Sequence, residues 1–213
     1  MARTVKIDPR DPSPAIAEAA AVLKAGGLVA YPTESFYALG ADALNPEAIK
    51  RVFAAKGREE GKPLLVILHD KAEIPGYAVE LSEAARAAVE GLMPGPVTLI
   101  FKASSSIPDV LTSSTGKVGI RVSDNLICSA LAQAIHGPVT ATSANPSGAP
   151  GPVTAEEVQK SLGEKIDLIL DGGPTPGPPP STLLDVAVSP PVLVREGRVS
   201  KLNIQLKIGA ITP

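Results

Sequence analysis

Six cations stand where strand or helix ends would carry them to one surface. They are Lys56 and Arg58 (Lys56-Gly57-Arg58) with Lys62, then Lys117 and Arg121, then Arg195 in Arg195-Glu196-Gly197. Thr33 and Ser35 follow a short buried run, Ser143 and Asn145 follow another, and Ser181 with Thr182 follows a proline-rich stretch. Cations and hydroxyls on strand-end loops of a net-acidic chain suit a polyanionic small molecule, with ATP the prime candidate. Each signal has a plainer reading. The Lys56–Lys62 group could simply complement a helix C-terminus, and the Ser143–Gly148 segment is also turn chemistry. Arg121 is the sharpest, because Val118, Ile120 and Val122 surround it in one strand and oblige it to face solvent or a polar cavity.

Other chemistries lack their residues. There is no GxxxxGK[ST], GxGxxG, HExxH or GxSxG pattern. His69 and His136 fall at predicted element ends with no partner spacing, and are read as terminal or capping residues. Cys128, the single cysteine, sits in the apolar run LICSALAQAI and reads as a core residue. It allows neither an internal disulfide nor a cysteine metal cluster.

The elements that must position these residues alternate. Pro14–Ala25 reads as a helix capped by Ser13 and closed by Gly26 and Gly27. Further helices are expected from Asn45 to Lys56, from Ser82 to the Met93-Pro94-Gly95-Pro96 breaker, from Asn125 to His136, and from a Thr154/Glu157 capping box to Leu162. Strands are expected at 28–31, 64–68, 97–102, 118–122, 139–142, 168–170, 183–186 and 192–194. The alternation implies a layered α/β fold with a mixed sheet, since the last strands follow one another without helices. Gly172–Pro180 (GGPTPGPPP) reads as a stiff loop over a site.

Composition bounds the rest. The chain has 213 residues, 44% hydrophobic and 20% charged, with net charge -2. That charge disfavours a dedicated nucleic-acid binder, and 3% aromatics provide no stacking platform for bases. No apolar run approaches the ~18 residues of a membrane span, and the N-terminus shows no signal-peptide core. These features predict a soluble cytoplasmic protein with one core, a single domain over 1–213 with 201–213 as a short tail.

Several segments together carry a resemblance. They are Tyr31–Gly40 (YPTESFYALG), Lys56-Gly57-Arg58 with Lys62-Pro63-Leu64, and Pro94-Gly95-Pro96-Val97-Thr98-Leu99. Val118–Val122 with Arg121, Ser143-Ala144-Asn145, Asp171-Gly172-Gly173, Ser181-Thr182 and Arg195-Glu196-Gly197 complete the set. In this order and spacing the chain resembles the YrdC-type L-threonylcarbamoyladenylate synthases over nearly its whole length. The resemblance implies a twisted open α/β sheet with a large, positively lined concave cavity. It also implies an activity: L-threonine, bicarbonate and ATP give threonylcarbamoyl-AMP, pyrophosphate and water, with Mg²⁺ on the nucleotide. A partner transferase then modifies the tRNA adenosine beside the anticodon.

Matched by position, Lys56, Arg58 and Arg121 are the implied catalytic residues. Arg58, Lys62, Lys117, Ser143, Asn145 and Arg195 are implied on the ATP side. Ser35, Arg121, Ala141 and Ser181 are implied on the threonine side, with Thr33 a further candidate there. No protein-held metal site is expected. Ile67 and Gly151 depart from relatives that have histidine and serine there, and the segment after Lys201 is too short for the C-terminal domain of longer relatives. The alternatives are a YciO-type paralogue, a non-catalytic binder of double-stranded RNA or tRNA, and a carbamoyl-transfer domain of the hydrogenase-maturation kind.

Overall fold

The structure, a computed structural model, describes residues 1–58 and 63–212. In chain order it has β1 (Arg3–Lys6), α1 (Ser13–Lys24), β2 (Val29–Pro32), β3 (Tyr37–Gly40), α2 (Pro46–Lys56) and β4 (Leu65–Leu68). A 3-10 turn (Lys71–Gly76) leads to β5 (Ala78–Val79), α3 (Glu83–Leu92), β6 (Val97–Ala103), α4 (Asp109–Thr112), β7 (Lys117–Val122) and α5 (Leu126–Ile135). Then come β8 (Val139–Thr140), β9 (Thr142–Ser143), α6 (Ala155–Leu162), β10 (Leu168–Asp171), β11 (Thr182–Asp185), β12 (Val192–Arg195) and α7 (Lys201–Ile208).

Local chemistry accounts for most helix ends. Asn45 Oδ1 accepts from the Glu47 and Ala48 N–H groups, and Gly57 closes α2 in the left-handed region at φ 56°. Ser82 and Asn125 cap α3 and α5 in the same way, and His136 closes α5 at φ 58°, a capping role as expected. The N-terminus of α1 differs from expectation. Pro12 holds the cap position and Ser13 is already helical, while Asp11 Oδ1 accepts from the Ser13 N–H at 3.1 Å. The Thr154/Glu157 box also forms only in part: Thr154 Oγ1 accepts from the Glu157 N–H, but Glu157 Oε2 turns to the N–H of Val153.

The expected α/β class with mixed strands and flanking helices is what forms, but the strands divide into two sheets. One has the order β1-β10-β2-β3-β9, the other β12-β11-β6-β7-β4-β8 with β5 on β6. In the first, β1, β10 and β2 run parallel and β3 and β9 antiparallel to their neighbours. The predicted strand 139–142 explains the division. Its first residues pair with β4, its last with β3, and the chain changes sheet at Ala141. Alternation of side chains cannot reveal such a crossing, because the sequence stays β-like on both sides of it.

Two clusters of buried residues hold the layers together. The main one joins Leu39, Ile49, Phe53, Leu99, Phe101 and Ile120 to α3, α6 and Ile204. The smaller one packs α1 and α5 through Leu23, Tyr31, Cys128 and Leu131. Residues 201–208, read above as a tail, form α7, and its Ile204 is fully buried, a gain of about 1.5–3 kcal/mol. Among the described residues no helix is long and apolar enough to cross a membrane.

Candidate active site

A hollow of about 350 Å³ opens between the two sheets, within the ~300–1,000 Å³ range of small-molecule sites. Its lining brings together Thr33, Ser35, Arg58, Arg121, Ala141, Ser143, Ser181 and Arg195. Each comes from an element end. Thr33 closes the turn after β2 with its own hydroxyl, donating to Phe36 O at 2.7 Å and accepting from the Ser35 N–H at 3.2 Å. That turn leaves Ser35 on the hollow. Ala141 lies at the sheet crossing and Ser143 on β9 just beyond it. Ser181 precedes β11, and Arg195 ends β12, where its Nη2 donates to Ser181 O at 2.9 Å.

Three arginines therefore line one space. Desolvation lowers the pKa of Arg195, and the charge of Arg121 lowers it further. Burial lowers Arg58 as well, and its Nη2 donates to Pro63 O at 3.0 Å. Arg121 is buried, at 4% exposure, and its Nη1 forms an ion pair with Glu34. The other Glu34 oxygen accepts from Ser123 Oγ at 2.9 Å. Arg121 Nε is buried without a hydrogen-bond partner.

Two implied residues stand beside the hollow rather than on it. Lys56 Nζ donates to the Ser143 and Asn145 carbonyls, the latter at 2.7 Å. Burial, then repulsion from Arg58, pushes its ammonium down to about 8. Asn145 Nδ2 donates to Pro146 O at 2.8 Å and Ala149 O at 2.7 Å, so both side chains shape the 143–149 turn. Lys117 is not brought to the hollow. It begins β7 four residues before Arg121, about 13 Å away along a strand, and pairs with Asp185 at 2.7 Å. Lys62 lies outside the described residues.

The two departures have packing accounts. Ile67 pairs in register with Arg121 on the adjacent strand and is fully buried in the smaller cluster. At Gly151 an added Cβ would lie 2.9 Å from the Phe36 ring, so the bare backbone lets Phe36 line the hollow. The proline-rich loop forms part of the wall. Gly177 N donates to Ser35 O at 2.7 Å, Arg198 Nη2 donates to Gly177 O at 2.9 Å, and Pro180 lines the hollow.

Sequence reasoning missed Glu34. A partial signal was present: Glu34 is an acid in a strand-end loop, and of the two places open to Arg121, solvent or a polar cavity, the cavity is the one in which a cation demands a counter-charge. It also missed the apolar lining, Phe36, Leu65 and Leu183. Among the described residues no group of three or more His, Cys, Asp or Glu side chains is arranged to hold a metal ion.

Comparison with known proteins places this architecture. Residues 21–197 match the family model Sua5_yciO_yrdC, described as "Telomere recombination". The threonylcarbamoyl-AMP synthase of Pyrococcus abyssi is 38% identical over 193 residues, covering 91% of this chain and 57% of that protein. The threonylcarbamoyl-AMP synthase of Bacillus subtilis is 39% identical over 202 residues, 93% of this chain and 58% of that protein. The crystal structure of P. abyssi Sua5 complexed with L-threonine superposes with a TM-score of 0.92 at 36% identity, covering 100% of this chain and 63% of that one. The chain thus spans less than two thirds of the length of these relatives, yet the match takes in every residue that lines the hollow. It belongs to the Sua5/YciO/YrdC family.

Proposed function

We propose that the chain is a threonylcarbamoyl-AMP synthase, joining L-threonine, bicarbonate and ATP with release of pyrophosphate and water. The observation that carries this reading is the convergence of Arg58, Arg121 and Arg195 on one hollow that also presents Ser35, Ser143 and Ser181. The reactants are a carboxylate, a bicarbonate and a triphosphate. Two unit charges of like sign 4 Å apart repel by about 4 kcal/mol at an effective dielectric near 20. Fixed cations that offset this repulsion lower the barrier without any tuned proton donor. The threonine nitrogen attacks the bicarbonate carbon and water leaves, giving a carbamate. A carbamate oxygen then attacks the α-phosphorus in line, and pyrophosphate departs.

Arg121 takes the threonine carboxylate, with Ser35, Ala141 and Ser181 beside it and Thr33 shaping the turn that carries Ser35. Arg58, Ser143 and Arg195 hold the triphosphate, and Lys56 and Asn145 act by fixing the turn that carries Ser143. Lys62, four positions after Arg58 in the sequence, is assigned to the phosphates as well. Mg²⁺ arrives bound to the ATP phosphates as part of that substrate. The product passes to a tRNA-modifying transferase in the cytoplasm, with tRNA the final acceptor.

The test is pyrophosphate release by the purified protein with ATP, Mg²⁺ and bicarbonate, with L-threonine or L-serine. Release is expected to require threonine and bicarbonate, with serine poorer by about 10-fold or more, the worth of one methyl group in a shaped niche. Absence of threonine-dependent release overturns the proposal.

A further inference from the structure

We propose that Glu34 is a positioning residue for Arg121, holding one end of the guanidinium so that the rest of the fork meets the carboxylate of the amino-acid substrate. The inference rests on the proposed function and assigns a role to a residue that does not itself line the hollow. Three observations carry it. First, Arg121 is a cation buried to 4% exposure, and among the described residues Glu34 is the opposite charge that pairs with it, through Nη1. Burial at that depth needs a counter-ion. Second, Arg121 Nε is buried with no partner. Folded proteins rarely leave such a donor unpaired, and a carboxylate seated beside Nη2 and Nε would satisfy it in the bidentate geometry that arginine favours. Third, Glu34 is itself fixed. Its second oxygen accepts from Ser123 Oγ, which in turn accepts from the Asn125 N–H at 3.2 Å at the start of α5.

The arrangement joins the two sheets at the hollow. Glu34 lies in the loop after β2 of the first sheet, and Arg121 and Ser123 lie at the end of β7 in the second. Neither partner can drift without breaking a contact to the other sheet. Nearby Arg195 carries like charge, so Glu34 also keeps Arg121 from being pushed out of line.

The experiment compares Glu34→Ala and Glu34→Gln with the wild type. The readouts are separate KM values for L-threonine and ATP in pyrophosphate release, L-threonine binding by calorimetry, and the melting temperature. Glu34→Ala is expected to raise KM for L-threonine by about 10–100-fold, as loss of orientation does, with less than about 3-fold change for ATP. Glu34→Gln, which keeps an acceptor for Nη1, is expected to recover part of that loss and to melt close to the wild type. An unchanged threonine KM in Glu34→Ala overturns the inference, as does an equal rise for both substrates. So does Glu34→Gln with an intact melt but no recovery. A wild-type protein that neither binds threonine nor releases pyrophosphate overturns the functional reading first, a result distinct from the others.

Discussion

Gly197→Ala tests how rigidly the wall of the hollow is held. A Cβ built at Gly197 would lie 2.2 Å from Pro180 O, 2.7 Å from Ser181 C and 2.8 Å from Ser181 O. The first contact is about 1.2 Å inside the 3.4 Å at which ordinary contact begins. All three atoms are backbone, so no side-chain rotation relieves the clash. Ser181 and Thr182 are buried at 5% and 0% exposure, and β11 is flanked by β6 and β12. The displacement therefore falls on the 195–198 segment. It strains the Gly197 N–H bond to Thr182 Oγ1 at 3.0 Å and the Arg195 bond to Ser181 O at 2.9 Å. Overpacking costs about 1–3 kcal/mol, and two weakened hydrogen bonds add about 1–2 kcal/mol. The expected loss is about 2–5 kcal/mol, or about 5–15 °C in melting temperature for a chain this size.

Arg195 and Ser181 both line the hollow, so a shift near 1 Å between them is expected to cut pyrophosphate release by about 100-fold. Gly91→Ala is the internal control. It lies within α3, and its Cβ would meet Lys207 Cβ at an ordinary 3.5 Å. Greater helix propensity there is expected to stabilise the fold by about 0.5–1 kcal/mol with kinetics unchanged. Thermal melts and initial rates of both variants decide the matter. A Gly197→Ala protein that melts within about 2 °C of the wild type and turns over normally refutes the premise that this wall is rigid.

Other perturbations read different parts of the molecule. Arg58→Ala removes one of three converging guanidinium groups and is expected to lower pyrophosphate release by about 100–1,000-fold. Its side chain is only half-buried, so the melting temperature should fall by less than about 4 °C; a large drop would reassign Arg58 to stability. Burial pushes the Cys128 thiol up to about 12, so about one thiol in 10,000 is ionised at pH 8. A thiol reagent should label it only after unfolding, and rapid labelling of the native protein would contradict its burial. Lys56 titrates near 8 in the folded state against 10.5 in the unfolded chain. Between those values the unfolded chain binds more protons, so this group's contribution to stability rises with pH. Urea unfolding of the wild type and Lys56→Met from pH 8 to 10.5 should show a steeper rise in the wild type, and parallel curves would refute the depressed value.

Local chemistry alone specified much of this protein. Asn45 with Pro46, Ser82, Asn125 and Thr154 marked helix starts because a short polar side chain satisfies free N–H groups within its own first turn. The same locality made Leu65–Leu68 and Lys117–Val122 legible as strands, and it made Arg121 conspicuous among apolar neighbours. What the linear pattern could not determine depends on pairs far apart in the chain. Division into two sheets turns on the crossing at Ala141, the burial of α7 turns on Ile204 meeting the main cluster, and Lys56 was diverted to the carbonyls of Ser143 and Asn145, 87 and 89 residues away. Lys117 and Arg121 share a strand, yet its length separates their ends, and only Arg121 reaches the hollow. Glu34 acquires its role from Arg121, 87 positions later. Short-range hydrogen bonding is written in neighbouring residues, whereas charge pairing and sheet register are settled only when distant segments come into contact.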